Sequence, residues 1–464
     1  MSIISAYMVP HPPLILPEVG RGGEKQIHLT SDSYARAAKE IAAQEPETII
    51  ITSPHAIMYR DYFHISPGPG AKGSFARFNA PDARFEIRYD EELVREICRL
   101  AQAEGFPAGT QGERDPALDH GTMVPLYFIR RAYAGRPLPK IIRIGLSALP
   151  PEDHYRLGQM IRTAVENTGR RAIFVASGDL SHKLQEHGPY GFAPEGPLYD
   201  SRIMDVCGRA AFGELFDFEE SFLERAAECG HPSFVIMAGA LDGLCVDAEV
   251  YSHEDVTGVG YGICAFHPGK PDDKRRFLDI RREEEKRHSA ALREKCDPWV
   301  RLAWQSLESW VVNGKIMAVP RGLPQELIHT RAGAFVSIHK EGKLRGCIGT
   351  ILPTRESLAE EIIHNAVSAA SRDPRFSPIK PDELPYLEIQ VDVLRDPEDI
   401  SSEKQLDVRR YGVIVTSGSR RGLLLPDLEG VDTAQQQIDI ARRKAGLKPD
   451  EKIRLQRFEV VRHT

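Results

Sequence analysis

The chain has 464 residues, enough for two or three domains. Hydrophobic residues make up 41% and charged residues 27%, as in an ordinary globular protein, and a formal charge of −7 gives no electrostatic basis for binding nucleic acid. No apolar run reaches the roughly 18 residues of a membrane-spanning helix, so neither a membrane nor a nucleic acid is expected as a partner.

The start, Met1-Ser-Ile-Ile-Ser-Ala-Tyr7, lacks the basic and apolar regions of a secretory leader. The seven cysteines (Cys98, Cys207, Cys229, Cys245, Cys264, Cys296 and Cys347) are scattered, which reads as reduced thiols in the cytoplasm. Ile3 to Val9 reads as a first strand, stopped by Pro10-His11-Pro12-Pro13. Tyr34 to Ala43 follows as a helix, with Ser31 or Ser33 as its cap. Thr48-Ile-Ile-Ile-Thr-Ser-Pro-His55 reads as a strand covered on both faces, ended by Pro54 and leaving His55 just past its tip.

Residues 56–90 read as loops and short strands. Glu91 to Ala103 is an amphipathic helix. Asp119-His120-Gly121-Thr122 opens another helix, with Thr122 as cap and Pro125 in the first turn. Lys140–Leu146 is a third strand, His154–Asn167 a helix, and Ala172–Ser177 a fourth strand running into Gly178-Asp179-Leu180-Ser181-His182. Helices are predicted over Leu198–Phe216, Phe218–Cys229 and Ser233–Leu241, and closing strands over Cys245–Tyr251 and Val259–Phe266. This alternation predicts an α/β domain over residues 1–268, a mostly parallel sheet with helices on both faces.

In such sheets ligands collect at the C-terminal strand tips. His11, His55 and His182 each follow an apolar strand, and His120 precedes a helix. Convergent imidazoles are the usual means of holding a divalent metal. An anionic ligand is sought in Glu228-Cys229-Gly230-His231-Pro232. On a helix, periodicity turns Cys229 toward the apolar stripe and Glu228 toward the polar one. A carboxylate suits Fe(II), and a thiolate suits softer metals such as copper or zinc. Both residues stay candidates.

Pro10-His11-Pro12, Ser53-Pro54-His55-Ala56, Asp119-His120-Gly121 and Ser177-Gly178-Asp179-Leu180-Ser181-His182 stand in the order found in LigB-like class III extradiol ring-cleavage dioxygenases, and also resemble the Memo-like branch of that fold. The resemblance implies that His11 and His55 are metal ligands, that His182 is the acid/base residue, and that His120 faces the substrate or supports the ligands. It implies a Glu at the position of Glu228 in the dioxygenases, while the Memo-like branch carries a Cys-Gly pair like Cys229-Gly230. Asp179 is placed to orient His182 or another ring. The chemistry implied is insertion of O2 into a catechol-like or other enediol substrate on Fe(II). The Memo-like alternative is a metal-binding protein that cleaves no ring. A zinc hydrolase would use the same histidines, but no hydrolase nucleophile motif accompanies them.

Residues 269–297 carry mixed charges at helical spacing and read as a solvated helical linker. From residue 298 an α+β domain with a largely antiparallel sheet is predicted. It has a helix after Pro298, strands over Gly333–His339 and Leu344–Thr350 joined by a Glu341-Gly342 turn, and a helix over Leu358–Ser371. Strands over Leu387–Leu394, Tyr411–Thr416 and Gly422–Leu425 follow, then a helix over Thr433–Ala445. Leu344-Arg345-Gly346-Cys347-Ile348-Gly349 resembles the signature of the AMMECR family, with Asp373-Pro374-Arg375-Phe376 in support. Cys347 beside Arg345 reads either as an activated thiolate or as a buried strand cysteine, with His339 and His364 as conceivable partners. A Memo-like half joined to an AMMECR half resembles the AmmeMemoRadiSam system protein A family, which implies a radical SAM protein as partner. The oligomeric state is left open.

Overall fold

The computed structural model describes residues 2–428 and 430–464; Met1, the first residue of the assigned N-terminal domain, lies outside them. The chain divides into two compact units, Met1–Arg281 and Arg282–Thr464. The division falls within one long helix, Phe277–Lys295.

The first unit is built on a six-stranded sheet. Its strands lie in the order Lys140–Gly145, Thr48–Ser53, Ala172–Ser177, Ile3–Val9, Tyr261–Pro271, Leu244–Glu254. The first four run parallel and the last two are antiparallel. Alternation along the strands sends side chains to two separate cores. Met8, Ile50, Ile142 and Phe174 enter one, and Tyr7, Ile49, Ile51, Ile141 and Val175 enter the other. The helices Glu91–Ala103, Pro151–Asn167 and His231–Ala240 contribute to the first core, and His28–Gln44 and His120–Tyr133 to the second. Both faces are thus covered, which is why the isoleucine run of Thr48–Ser53 is buried at every position.

Register positions the site. Met8 and Thr52 both pair with Ala176, so Val9, Ser177 and Ser53 stand at one level on three adjacent strands. His11, Asp179 and His55 are each the second residue beyond that level.

Several boundaries depart from the sequence reading, each for a local reason. The helix predicted from Tyr34 starts at His28, and Ser31 and Ser33 lie inside it instead of capping it. The predicted helix Leu198–Phe216 breaks into Glu195–Gly208 and the 3-10 turn Phe212–Asp217, with Ala210 in the left-handed region between them. The predicted helix Phe218–Cys229 shortens to Glu220–Ala226, because left-handed Ala227 ends it. Glu228 and Cys229 therefore sit in a loop, and helical periodicity does not orient them. Residues 56–90 include the hairpin Gly70–Phe75 and Ala80–Arg88.

The second unit is α+β, as predicted. Its antiparallel sheet runs in the order Lys343–Gly349, Ala334–Lys340, Leu387–Leu394, Arg454–His463, Tyr411–Ser417, Arg420–Leu424, with Glu398–Ile400 beside Arg454–His463. Glu341 and Gly342 both have positive φ, which the tight turn between the first two strands requires. Helices Pro298–Asn313 and Leu358–Ser371 pack on one core with Trp304, Leu307, Ile362 and Val336, while Ile438 and Ala441 of Ala434–Lys444 cover a smaller one.

Candidate metal centre

Three loops and one helix start meet above the aligned strand tips. His11 and His55 face each other with Nε2 atoms 3.0 Å apart. The His120 ring lies 4.0 Å from the His55 ring and 5.4 Å from the His11 ring. One donor atom from each of the three lies within 4.8 Å of the others. A second group within the same limit is His11, Asp179 and Cys229, so His11 belongs to both.

The hydrogen bonds fix His11 in one tautomer. Ser177 Oγ donates its only proton to the Gly121 carbonyl at 2.6 Å. Its 3.0 Å contact with His11 Nδ1 must therefore be accepted, so Nδ1 carries the proton and Nε2 presents a bare lone pair. Sequence supplies the free carbonyl. In a regular helix Gly121 C=O would take the N–H of residue 125, and Pro125 has none. Pro125 therefore sits in the helix interior, not in the first turn, and this missing donor leaves the Gly121 carbonyl open to Ser177.

His55 and His120 are held from the other side. The cap of the helix His120–Tyr133 is Asp119, not Thr122. Asp119 Oδ1 accepts the Thr122 N–H at 2.9 Å and the Ser53 hydroxyl at 2.6 Å, and Oδ2 accepts the Thr122 hydroxyl at 2.9 Å. Ser53 Oγ in turn accepts the His55 N–H at 3.2 Å. Gly121 permits this seating, since a Cβ there would lie 2.4 Å from Ser53 Oγ.

The anionic side of the cluster differs from the sequence reading. Asp179 Oδ1 accepts the His11 N–H at 2.7 Å, and Oδ2 lies 3.8 Å from His11 Nε2. Asp179 thus orients His11 and makes no hydrogen bond to His182 among the described residues. Cys229 Sγ lies 3.7 Å from His11 Nε2 and accepts the Asp179 N–H at 3.3 Å. Glu228 takes another course: its carboxylate accepts the His231 N–H at 2.5 Å, at the start of the helix His231–Ala240, and it enters neither donor group. Burial pushes its pKa up to about 7. His182 also stays outside both groups. Its ring stands 5.1 Å from Tyr190, its buried Nδ1 has no partner, and it bears electrostatically on His11 and His55.

Burial sets the protonation of the cluster. It holds His11 well below the usual imidazole range and lowers His55; the neighbouring His55 then depresses His11 further. Burial, followed by His55 and His11, brings His120 down to about 3. Burial also raises Asp179 and Cys229. Near neutral pH the three imidazoles are uncharged donors, the form a metal needs. The donor set fits a divalent transition metal: neutral imidazoles, a carboxylate and a thiol converge. Two adjacent ligands at about 2.1 Å from one octahedral ion would stand about 3.0 Å apart, the spacing seen between His11 and His55.

Sequence reasoning passed over Ser53, Ser177 and Asp119 as positioning residues. The signal was a serine ending each of two adjacent strands two residues from a cluster residue. Ser177→Ala removes the group that fixes the His11 tautomer. It is expected to lower metal affinity about 10- to 100-fold with the fold intact, measured by competition with a chromophoric chelator.

Beside the histidines opens a cavity of about 940 Å3, lined by His55, His120, Phe78, Met123 and Arg143 among others. Phe78 meets the His120 ring edge-on at 5.3 Å.

The model of the catalytic LigB subunit of aromatic ring-opening dioxygenase matches residues 5–264, more than half of the sequence. The chain belongs to the LigB family. Residues 300–463 match the AMMECR1 family, so the LigB domain is followed by an AMMECR1 domain. Protein CA_C1420 of Clostridium acetobutylicum is 39% identical over 100% of this chain and 99% of its own length. A Thermotoga maritima protein is 49% identical over 168 residues, 36% of this chain and 97% of that protein. Among solved structures, the uncharacterized protein PH0010 of Pyrococcus horikoshii is 33% identical at a TM-score of 0.34, covering 35% of this chain and 88% of its own. The uncharacterized protein JW3007 of Escherichia coli is 15% identical at a TM-score of 0.39, covering 56% and 99%. Among the described residues no helix is long and apolar enough to cross a membrane.

In the AMMECR1 domain, Arg345 does not face Cys347. Its guanidinium makes two bonds to Glu383, at 2.8 and 3.0 Å. Cys347 Sγ accepts the Ser337 hydroxyl at 3.2 Å, and burial raises its pKa. Neither His339 nor His364 hydrogen-bonds it among the described residues. Of the two readings of Cys347, these contacts fit the buried strand cysteine.

Proposed function

We propose that the LigB-type half, assigned to residues 1–268 and joined through 269–297 to the domain at 298–464, is a non-haem Fe(II) oxidoreductase. It would insert O2 into a catechol-like substrate, as in extradiol ring cleavage. The carrying observation is the His11–His55 pair, with Nε2 atoms 3.0 Å apart and the His11 lone pair turned inward by Ser177. His11 and His55 would hold the metal, with Cys229 or Asp179 as the anionic donor. Fe(II) bound there supplies open coordination positions and the electron transfer that ring opening requires. The protein's own groups do the rest. His120 and Phe78 wall the cavity and orient a planar ring. His182, the acid/base residue that the family resemblance implies, would take the proton of a substrate hydroxyl and later return it. Asp179 holds the His11 main chain in place.

The test is anaerobic loading with Fe(II), addition of a catechol panel and admission of O2. Ring-opened chromophores are expected, and should be lost in His55→Ala and His182→Ala. Stoichiometric metal without turnover across the panel would sink the oxygenase reading.

Cys229, not Glu228, stands at His11, and this favours a second reading: a Memo-like metal-binding protein that cleaves no ring and assists a radical SAM partner in the cytoplasm. A thiol donor suits copper or zinc as well as iron.

A further inference from the structure

Asp179 and His182 lie on one loop, residues 178–183, which follows the strand Ala172–Ser177 and contains neither helix nor strand. The loop hangs on the turn that joins Leu244–Glu254 to Tyr261–Pro271. The Leu180 N–H donates to the Gly260 carbonyl at 2.9 Å, the Gly260 N–H to the Ser181 carbonyl at 2.8 Å, and the Leu184 N–H to the Gly258 carbonyl at 3.2 Å. Gln185 Nε2 donates to the Asp255 carbonyl at 2.8 Å. Where this turn stands decides where His182 stands.

One charged pair ties loop, turn and helix together. Asp200, on the helix Glu195–Gly208, is only 2% exposed, and a buried carboxylate is costly without a partner. Its Oδ1 accepts the Ser181 N–H at 2.9 Å, and its Oδ2 accepts from His253 Nε2 at 2.8 Å. His253 is the second-last residue of the strand Leu244–Glu254, and its side chain is 35% exposed, within reach of solvent protons. From the packed helix the acid facing it is Asp200, and from its own turn the acid is Asp255. The adjacent strand opposes it with Gly262. Glu254 turns to the other face and accepts the Thr30 N–H and hydroxyl at 2.6 and 2.5 Å. The bond to Asp200 holds His253 above the usual imidazole range, while burial raises Asp200. The charge on the pair is therefore complete below the ordinary imidazole range and is lost as pH rises through the raised value of His253.

We infer that Asp200 and His253 are a positioning pair for the metal centre: ionised together they seat the loop so that Asp179 reaches His11 and His182 stands beside the cluster, and loss of the His253 proton loosens that seat. The inference rests on reading Asp179 and His182 as parts of that site. Neither Asp200 nor His253 hydrogen-bonds a candidate ligand among the described residues, so the pair acts through Ser181. The sign is distinctive. Protonation of ligands weakens metal binding in acid, whereas protonation of His253 tightens the loop.

The test uses the full-length, metal-free protein with isotope-labelled histidine rings, followed by NMR as pH is varied. The His253 and His182 signals are assigned from His253→Gln and His182→Ala. In the wild type the His182 signal is expected to shift in step with the His253 titration. That step should vanish in His253→Gln and in Asp200→Asn, and in the latter the His253 titration should fall toward the ordinary imidazole range. Zn(II) affinity near neutral pH, by competition with a chromophoric chelator, gives a second readout. Asp200→Ala should lower it about tenfold, and Asp200→Asn, which keeps an acceptor for the Ser181 N–H, should recover most of that loss. If Asp200→Ala does not fold, the His182 signal in the two milder variants decides. A His182 signal blind to the His253 titration, or a folded Asp200→Ala that binds Zn(II) as the wild type does, would overturn the inference. Neither readout uses a substrate. A coupled His182 signal without ring opening in the Fe(II)-loaded protein would uphold the pair while sinking the oxygenase, and catechol turnover with an uncoupled His182 would do the reverse.

Discussion

His11→Ala is expected to abolish stoichiometric metal binding, with affinity falling by more than about 100-fold, beyond the loss expected for an outer residue such as Ser177. The reason is position. His11 is the one side chain shared by both donor groups, and its Nε2 lies 3.0 Å from His55, 3.7 Å from Cys229 Sγ and 3.8 Å from Asp179 Oδ2. Removing any other candidate leaves one of the two groups whole; removing His11 leaves neither. The ring is 1% exposed, so its loss also opens a polar void beside Ser177 and costs about 1–3 kcal/mol of stability. Metal content after anaerobic Fe(II) loading and desalting checks the first effect, and circular dichroism confirms that the variant remains folded. An equimolar metal content in folded His11→Ala would show that the ion binds elsewhere.

The parts of this site that sequence made legible are those carried by strands. Apolar runs with abrupt stops reveal strand ends, and parallel order aligns them, so His11 and His55 could be placed at one sheet edge from pattern alone. Equivalence among the tips was harder to see. His182 drew attention as a third histidine, yet the residue at the matching offset is Asp179, two beyond Ser177 as His11 is two beyond Val9. Chemical type was a poorer guide than distance from the register level. The loop 227–230 was illegible for another reason. Its conformation depends on Ala227 in the left-handed region, which alanine rarely adopts and no local pattern announces. In the second unit the helix predicted over Thr433–Ala445 spans Ala434–Lys444, with Thr433 as its cap and Gln436 closing the capping box. The strand Arg454–His463 was missed although it lies between two others, because Gln456 takes a buried position beside Phe458 and hides the alternation.

Gly178→Ala should be among the most destabilising single-methyl changes in the LigB half. A Cβ at residue 178 would stand 2.1 Å from Gly230 Cα and 3.1 Å from Gly230 N, a backbone clash that no rotamer relieves. Neither side can easily withdraw. The Gly178 N–H is bonded to the Val9 carbonyl at 2.9 Å, and the Cys229 N–H approaches the Asp179 carbonyl at 3.4 Å. A Cβ on Gly230 would in turn meet the Phe234 ring at 2.4 Å, so that glycine is already pressed against the helix behind it. Overpacking of this kind costs about 1–3 kcal/mol where side chains can move, and about 3 kcal/mol or more is expected where main chain meets main chain. The same contact seats Cys229 beside His11, so metal affinity should fall together with stability. Gly23→Ala is the control, since its Cβ would meet nothing nearer than 3.9 Å and should change stability by less than about 0.5 kcal/mol. Urea denaturation followed by fluorescence compares the two. If Gly178→Ala matches the control and binds metal normally, the close approach of residues 178 and 230 does not hold the Cys229 loop at the strand tips.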